Sequence, residues 1–148
     1  AKCPTWERFV AQCMLDNEGM VRYLQRLAGL ALTGDVSDEI FAIHVGKGGN
    51  GKGTFFQTLA RVLGTYATTV KPELLVRVGD KTSPGFLSAM AGLIGKRLAV
   101  ANETEDGASL DEALIKHISS KDHVAAKFMA RDMIHFQPSH HLHLMTNQ

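Results

Sequence analysis

The chain has 148 residues, a length that fits one domain with a sizeable core. Its apolar content of 45% and charged content of 21% are those of a soluble globular protein. A formal net charge of +1 excludes a chain that is basic on average, so any basic surface must come from local clustering. Cys3 and Cys13 lie ten apart with no second pair, which gives neither a zinc spacing nor a disulfide framework. Reduced thiols in a cytoplasmic setting are expected. No apolar run approaches the roughly 20 residues of a membrane span.

Residues Thr5 to Asp16 place Trp6, Phe9, Val10, Cys13 and Met14 at helical spacing, with Pro4 at the start and Thr5 offered as N-cap. A second helix, capped by Asp16 or Asn17, runs through Met20, Val21, Leu24, Leu27 and Ala28 and ends between Gly29 and Gly34. Residues 1–34 therefore read as a helical lead-in packed beside a core made of residues 35–148. Ile40 to Val45 is an apolar, β-prone run, and Phe55 to Leu63 reads as a helix closed by Gly64. Further on, Ala67 to Val70 reads as a short strand, Pro72 to Val76 as a short helix, and Phe86 to Ile94 as a helix stopped by Gly95. Leu98 to Ala101 has the pattern of a buried strand. Ser109 and Glu112 form a capping box for a helix from Leu110 to His117. Residues 119–131 alternate in part between turn-forming ends and read as a β-hairpin, and Leu142 to Met145 as a closing strand.

Between the strand at 40–45 and the helix at 55–63 lies Gly46-Lys47-Gly48-Gly49-Asn50-Gly51-Lys52-Gly53-Thr54. Strand, glycine-rich turn and helix N-terminus are the context in which successive backbone N–H groups can cradle phosphate oxygens. Gly46, Gly48, Gly49, Asn50, Gly51, Lys52, Gly53 and Thr54 are the candidate phosphate-binding residues, with Lys52 reaching the outer phosphates. One position departs from the pattern. The hydroxyl expected directly after the lysine, a ligand for Mg²⁺, is replaced by Gly53, leaving Thr54 one place later as the candidate.

The strand at 98–101 runs into Asn102-Glu103-Thr104-Glu105-Asp106. Acidic residues at the end of an apolar strand downstream of a phosphate loop can orient Mg²⁺ and an attacking water. The alternative is a solvent-exposed acidic turn. Lys116, Lys121, Lys127 and Arg131 spread along the hairpin region and supply local basic clustering, either as a nucleic-acid contact or as a solvated face. His140, His141 and His143 match no helical His-x₃-His pair and have no cysteine or close carboxylate beside them, so no metal site is assigned there.

Taken together, the ordered motifs resemble the superfamily 3 helicase domain of phage and plasmid primase–helicases, the group that includes poxvirus-type primase–helicases. The resemblance rests on Pro4-Thr5-Trp6, Leu32-Thr33-Gly34, the Gly-Gly-Asn-Gly-Lys core, Gly95-Lys96-Arg97-Leu98 leading into Asn102-Glu103-Thr104-Glu105, Leu114-Ile115-Lys116 before Asp122 and Lys127, and Phe136-Gln137-Pro138 before Thr146-Asn147. It implies an α/β, AAA+-like P-loop NTPase core of three layers with a mainly parallel sheet, incomplete at its C-terminus. The implied activity is ATP hydrolysis with Mg²⁺, driving translocation on single-stranded DNA as a ring, usually a hexamer, beside a primase domain. Lys52, Glu103, Glu105 and Asn147 would be the catalytic residues, Thr54 and Glu103 would serve Mg²⁺, and Lys116, Lys121, Lys127 and Arg131 would contact DNA. No residue can be assigned as the arginine finger. Two other readings stand beside this one. Gly51-Lys52-Gly53-Thr54 is also a loop ending of nucleoside monophosphate kinases, and a remnant that binds nucleotide or DNA without turnover would carry the same loop.

Overall fold

A computed structural model describes residues 2–77, 79–102 and 109–147 of the chain. Four parallel strands form its main sheet, side by side in the order β1 (Phe41–Val45), β6 (His141–Thr146), β3 (Leu98–Ala101) and β2 (Ala67–Val70). The chain thus leaves β1, crosses to the far edge at β2, and returns through β3 to β6. Right-handed crossovers require the connecting helices of these opposite journeys to lie on opposite faces. They do. α3 (Lys52–Leu63) joins β1 to β2 and packs Phe56 against Leu98 and Val100, with Ala31 of α2 (Glu18–Thr33) alongside. α4 (Pro84–Ala91) and α5 (Glu112–Ser119) put Met90, Ala91, Ile115 and Ile118 against Ala99, Ala101, Leu142 and Leu144 on the other face.

The period of two along β3 explains how one short strand serves both layers: Leu98 and Val100 point one way, Ala99 and Ala101 the other. All four are buried, as expected of a parallel strand covered on both sides. Fully burying one large aliphatic side chain such as Leu142 contributes about 1.5–3 kcal/mol.

A two-stranded antiparallel hairpin, β4 (Val124–Lys127) and β5 (Met133–Phe136), is anchored on the α4–α5 face by Val124 and Ala126. Its second strand lies beyond residues 119–131, where the sequence pattern placed the whole hairpin. The alternation used for that placement is carried by β4 alone, and a five-residue connection follows it.

Other boundaries move for identifiable reasons. α1 spans Pro4–Cys13, so Pro4 occupies the first turn and Cys3, not Thr5, is the N-cap, without a side-chain bond. α2 is capped by Asn17, whose Oδ1 accepts from the Met20 N–H at 3.1 Å. α4 starts earlier than its apolar pattern, because Ser83 caps it by accepting from the Phe86 N–H at 3.2 Å. At α5 the cap is Asp111, accepting from the Leu114 N–H at 3.0 Å, and Ser109 is not the cap. Tertiary pairing takes Ser109 and Leu110 out of the helix: the Arg77 N–H donates to the Ser109 carbonyl at 3.0 Å, and Leu110 bridges Val76. Lys81 then closes this strap by an ion pair with Asp111 at 3.2 Å.

One contact ties α2 to the sheet. Gly34 ends the helix in the left-handed region at φ 68°, and the Arg97 guanidinium lies where a Cβ at residue 34 would go.

Candidate functional site: a glycine-rich loop at the carboxyl edge of the sheet

In a parallel α/β sheet, ligands collect outside the carboxyl ends of the strands. Here that edge carries Gly46 after β1, Asn102 after β3 and Asn147 after β6. The glycine loop is held on it by the ladder itself, since the Gly46 N–H donates to the Thr146 carbonyl at 3.2 Å. α3 begins at Lys52, three residues earlier than its apolar pattern, so its N-terminus opens directly at the loop. Gly51 is the N-cap at φ 91°, in the region reserved for glycine, and a Cβ there would run into the Cys13 Sγ of α1. Gly49 is also left-handed, at φ 80°.

Lys52 gathers three acceptors. Its Nζ donates to the Gly46 carbonyl, to Asn50 Oδ1 at 3.2 Å and to Asn147 Oδ1 at 3.2 Å. Two of these belong to the loop; the third comes from the opposite end of the sequence, brought in by the β1–β6 pairing. The Asn50 carboxamide lies where a Cβ at residue 46 would go, so a side chain there would displace it.

Next to the loop is a cavity of about 920 Å³ lined by Gly48 to Thr54, Gln57 and Asn147 on one side and by Phe9, Gln12, Cys13 and Leu15 of the α1 region on the other. Its volume lies within the usual range of ligand sites. The loop N–H groups and the N-terminal end of α3 make it suited to an anion. Thr54 lines the same cavity, whereas Gly53 has open space where its side chain would be. Thr54 is therefore the hydroxyl-bearing residue of the first helical turn at this cavity, and Gly53 offers none.

On β1 and β6, leading up to the loop, half-buried His44 meets buried His143. One of His44 Nε2 and His143 Nδ1 donates to the other at 3.0 Å, and the Phe56 ring meets His44 edge-on at 4.7 Å. Burial pushes His143 down to about 3, with the His44 and His141 charges adding to it, and His140 down to about 4. Burial, then the Lys52 charge, also lowers His44. These imidazoles are neutral at pH 7 and serve as polar core. Among the described residues no group of three or more His, Cys, Asp or Glu converges on a metal position.

The remaining candidates from the sequence fall elsewhere. Glu103 and Glu105 lie outside the described residues. Lys116 is on α5, Lys121 in the turn after it, Lys127 at the end of β4 and Arg131 in the hairpin connection; all four are exposed. Exposed Phe128 and Met129 lie between the last two. Sequence reasoning assigned nothing to α1, whose Phe9, Gln12 and Cys13 have the spacing of any packed helix. Its position against Gly51 is a tertiary fact with no local signal.

A family model described as a family of unknown function (DUF5906) matches residues 44–148. The chain belongs to that family. The matched segment of this DUF5906 chain includes the glycine loop, α3, the whole of the sheet after the first three residues of β1, and the hairpin. No curated protein matches. Among solved structures, an A-form apo structure of the NrS-1 C-terminal region is similar over 99% of the chain, with a TM-score of 0.74 and 13% identity. A second apo structure of that region is similar over 99% of the chain, with a TM-score of 0.70 and 10% identity. The fold is therefore shared with the NrS-1 C-terminal region, and the chain spans about a third of those two structures, 33% and 34% of their lengths. Among the described residues, no helix is long and apolar enough to cross a membrane.

Proposed function

We propose that the chain is the nucleotide-binding core of an ATP-driven helicase motor of the superfamily 3 type, built on an AAA+-like P-loop core. The observation that carries this reading is the meeting of Lys52 with Asn147 over the glycine loop. A phosphate group needs a cation and inward N–H groups. Hydrolysis of a terminal phosphate further needs a polar side chain on the neighbouring strand to hold the water in line. Both arrive at one edge of the sheet from positions 95 residues apart.

In this mechanism the loop N–H groups from Gly48 to Lys52 hold the phosphate oxygens, and Lys52 exchanges its bonds to Asn50 and Asn147 for bonds to the outer phosphates. Asn147, released from the ammonium, then orients water. Thr54 and Glu103 would hold Mg²⁺, which would supply charge neutralisation to the phosphates. Glu103 and Glu105, which follow β3 in the sequence, act on the water. Lys116, Lys121, Lys127 and Arg131 grip single-stranded DNA through its phosphates, without base preference. The working form is a cytoplasmic ring, a hexamer, joined to a primase domain in the whole protein.

The test is ATP hydrolysis by the whole protein with and without single-stranded DNA. Stimulation by DNA, lost in Lys52→Ala, is expected. Turnover unchanged in Lys52→Ala would overturn the reading. Phosphoryl transfer to a nucleoside monophosphate would replace it with a kinase, which the sequence Gly51-Lys52-Gly53-Thr54 also suits.

A further inference from the structure

Two titratable rings lie in the layer between α3 and the sheet, where apolar side chains would pack at lower cost. His44 is half-buried two residues before the glycine loop, and His143 is buried on the neighbouring strand. They share one hydrogen bond of 3.0 Å, and the other nitrogen of His143, Nε2, is buried without a partner. A buried polar atom left unpaired costs free energy. Packing alone does not call for this pair, since Leu98, Val100 and Phe56 fill the rest of the same layer.

α3 ties the pair to the loop. Lys52 and Phe56 stand one turn apart on that helix. The Phe56 ring meets both imidazoles, at 4.7 Å from His44 and 5.2 Å from His143 between centroids. His44 and Lys52 line one cavity of about 350 Å³, which also reaches Asn50 and Gly51 of the loop. Cys13 of α1 and Tyr23 of α2 face them across it. The charges that act on the two rings from the described residues are positive: Lys52 on His44, and His44 and His141 on His143. Burial first, and these charges second, keep the pair neutral while the loop is empty. A polyphosphate at the loop brings several negative charges against Lys52 and reverses the sign of that field, which favours the charged imidazole.

We propose that the His44–His143 pair is a proton-linked switch: it takes up one proton when a polyphosphate engages Lys52, so that phosphate binding tightens as the medium turns mildly acidic. This rests on the phosphate-loop reading and adds regulation of that site by pH. The proton count is simple. The neutral pair holds two protons on four ring nitrogens, one in the bridge between the rings and one outside it. A third proton fills the remaining outer nitrogen and leaves the bridge unbroken. Linkage makes the two effects one, because a ligand that raises the proton affinity of the pair is itself bound more tightly once the proton is on. The gain appears as pH falls through the midpoint of the liganded pair and is complete below that of the free pair.

The experiment measures affinity for inorganic tripolyphosphate from about pH 8 to about pH 5.5 in wild type and in His44→Gln, whose carboxamide can still bond to His143 but takes up no proton in this range. Wild-type affinity divided by that of the variant is expected to rise about threefold to tenfold across the range, tenfold corresponding to one unit in the pKa of the pair. The ratio removes the ligand's own protonation, which both proteins meet alike. At the alkaline end the two affinities should agree within about twofold. A second measurement needs no variant: NMR titration of the histidine rings in wild type, where the His44 midpoint is expected to move up on saturation with tripolyphosphate. If His44→Gln does not fold, that midpoint decides alone. A flat ratio, or a His44 midpoint that the ligand leaves in place, would overturn the proton link and leave the phosphate site standing. Absence of binding by wild type at every pH would overturn the phosphate site and this inference with it.

Discussion

The glycine loop and the β4–β5 hairpin are both short connections rich in functional candidates, yet they are held in different ways. The loop is fixed from above and below: ladder bond to Thr146, Lys52 to Asn147, Gly51 against Cys13 and Phe9. The hairpin is held on one face, by buried Val124 and Ala126 with Ile134 and Phe136 packed beside them, while Lys127, Phe128, Met129 and Arg131 face solvent. Chemistry that depends on ångström placement belongs with the first kind of support. Grip on a repetitive, flexible polyanion needs charge and reach, which the second kind provides.

The contrast can be broken most forcefully at the loop. Lys52→Ala should lower ATP turnover by at least about 10²-fold, the usual scale for removing a charge from a preorganised site, measured as steady-state phosphate release. At the root of the hairpin, Ile118 is fully buried in the cluster that holds Val124. Ile118→Ala should cost about 2–5 kcal/mol of stability by denaturant melting, and hydrogen exchange at β4 should rise more than at β1. Equal rises in both would show that the two regions are not supported separately.

Two buried histidines, His143 within β6 and His140 just before it, make a pH test of the core that carries both regions. His143 and His140 have native values of about 3 and about 4 against 6.5 for the unperturbed group. The unfolded chain therefore binds more protons below pH 6.5, and stability falls as pH drops from 6.5 toward 4. The slope should approach about 1.4 kcal/mol per pH unit for each histidine. His143→Phe should flatten it; a slope unchanged in His143→Phe would mean that His143 is not shifted.

At the tip, replacing Lys127 or Arg131 by Ala should weaken single-stranded DNA binding uniformly across sequences. It should also reduce the slope of log affinity against log salt by about 0.7 for each phosphate that is no longer neutralised. The smallest effect belongs to Gly53. Open space surrounds its missing side chain in the first turn of α3, so Gly53→Ala should stabilise the protein by about 0.4–1 kcal/mol in thermal melts.

Much of this architecture is legible in the sequence. The apolar runs at 40–45, 67–70, 98–101 and 142–145 mark the sheet to within a residue at either end, and the glycine loop marks its carboxyl edge. The failures are instructive because each is tertiary. The capping box at Ser109 and Glu112 is a sound local pattern, overridden when Leu110 pairs with Val76 and Arg77 bonds to Ser109. The His44–His143 bond joins residues 99 apart and has no sequence signature. α1 shows only the spacing of a packed helix, and only its docking on Gly51 makes it part of the site.

Gly34 and Arg97 carry a consequence for how such a sequence can drift. The guanidinium fills the space that a side chain at residue 34 would use, and the backbone there is already left-handed. Arg97 can therefore disappear first, leaving a tolerated vacancy beside the glycine. Gly34 cannot. A side chain at residue 34 would have to displace the guanidinium as well as adopt the left-handed backbone, so Gly34 should be the less replaceable of the pair.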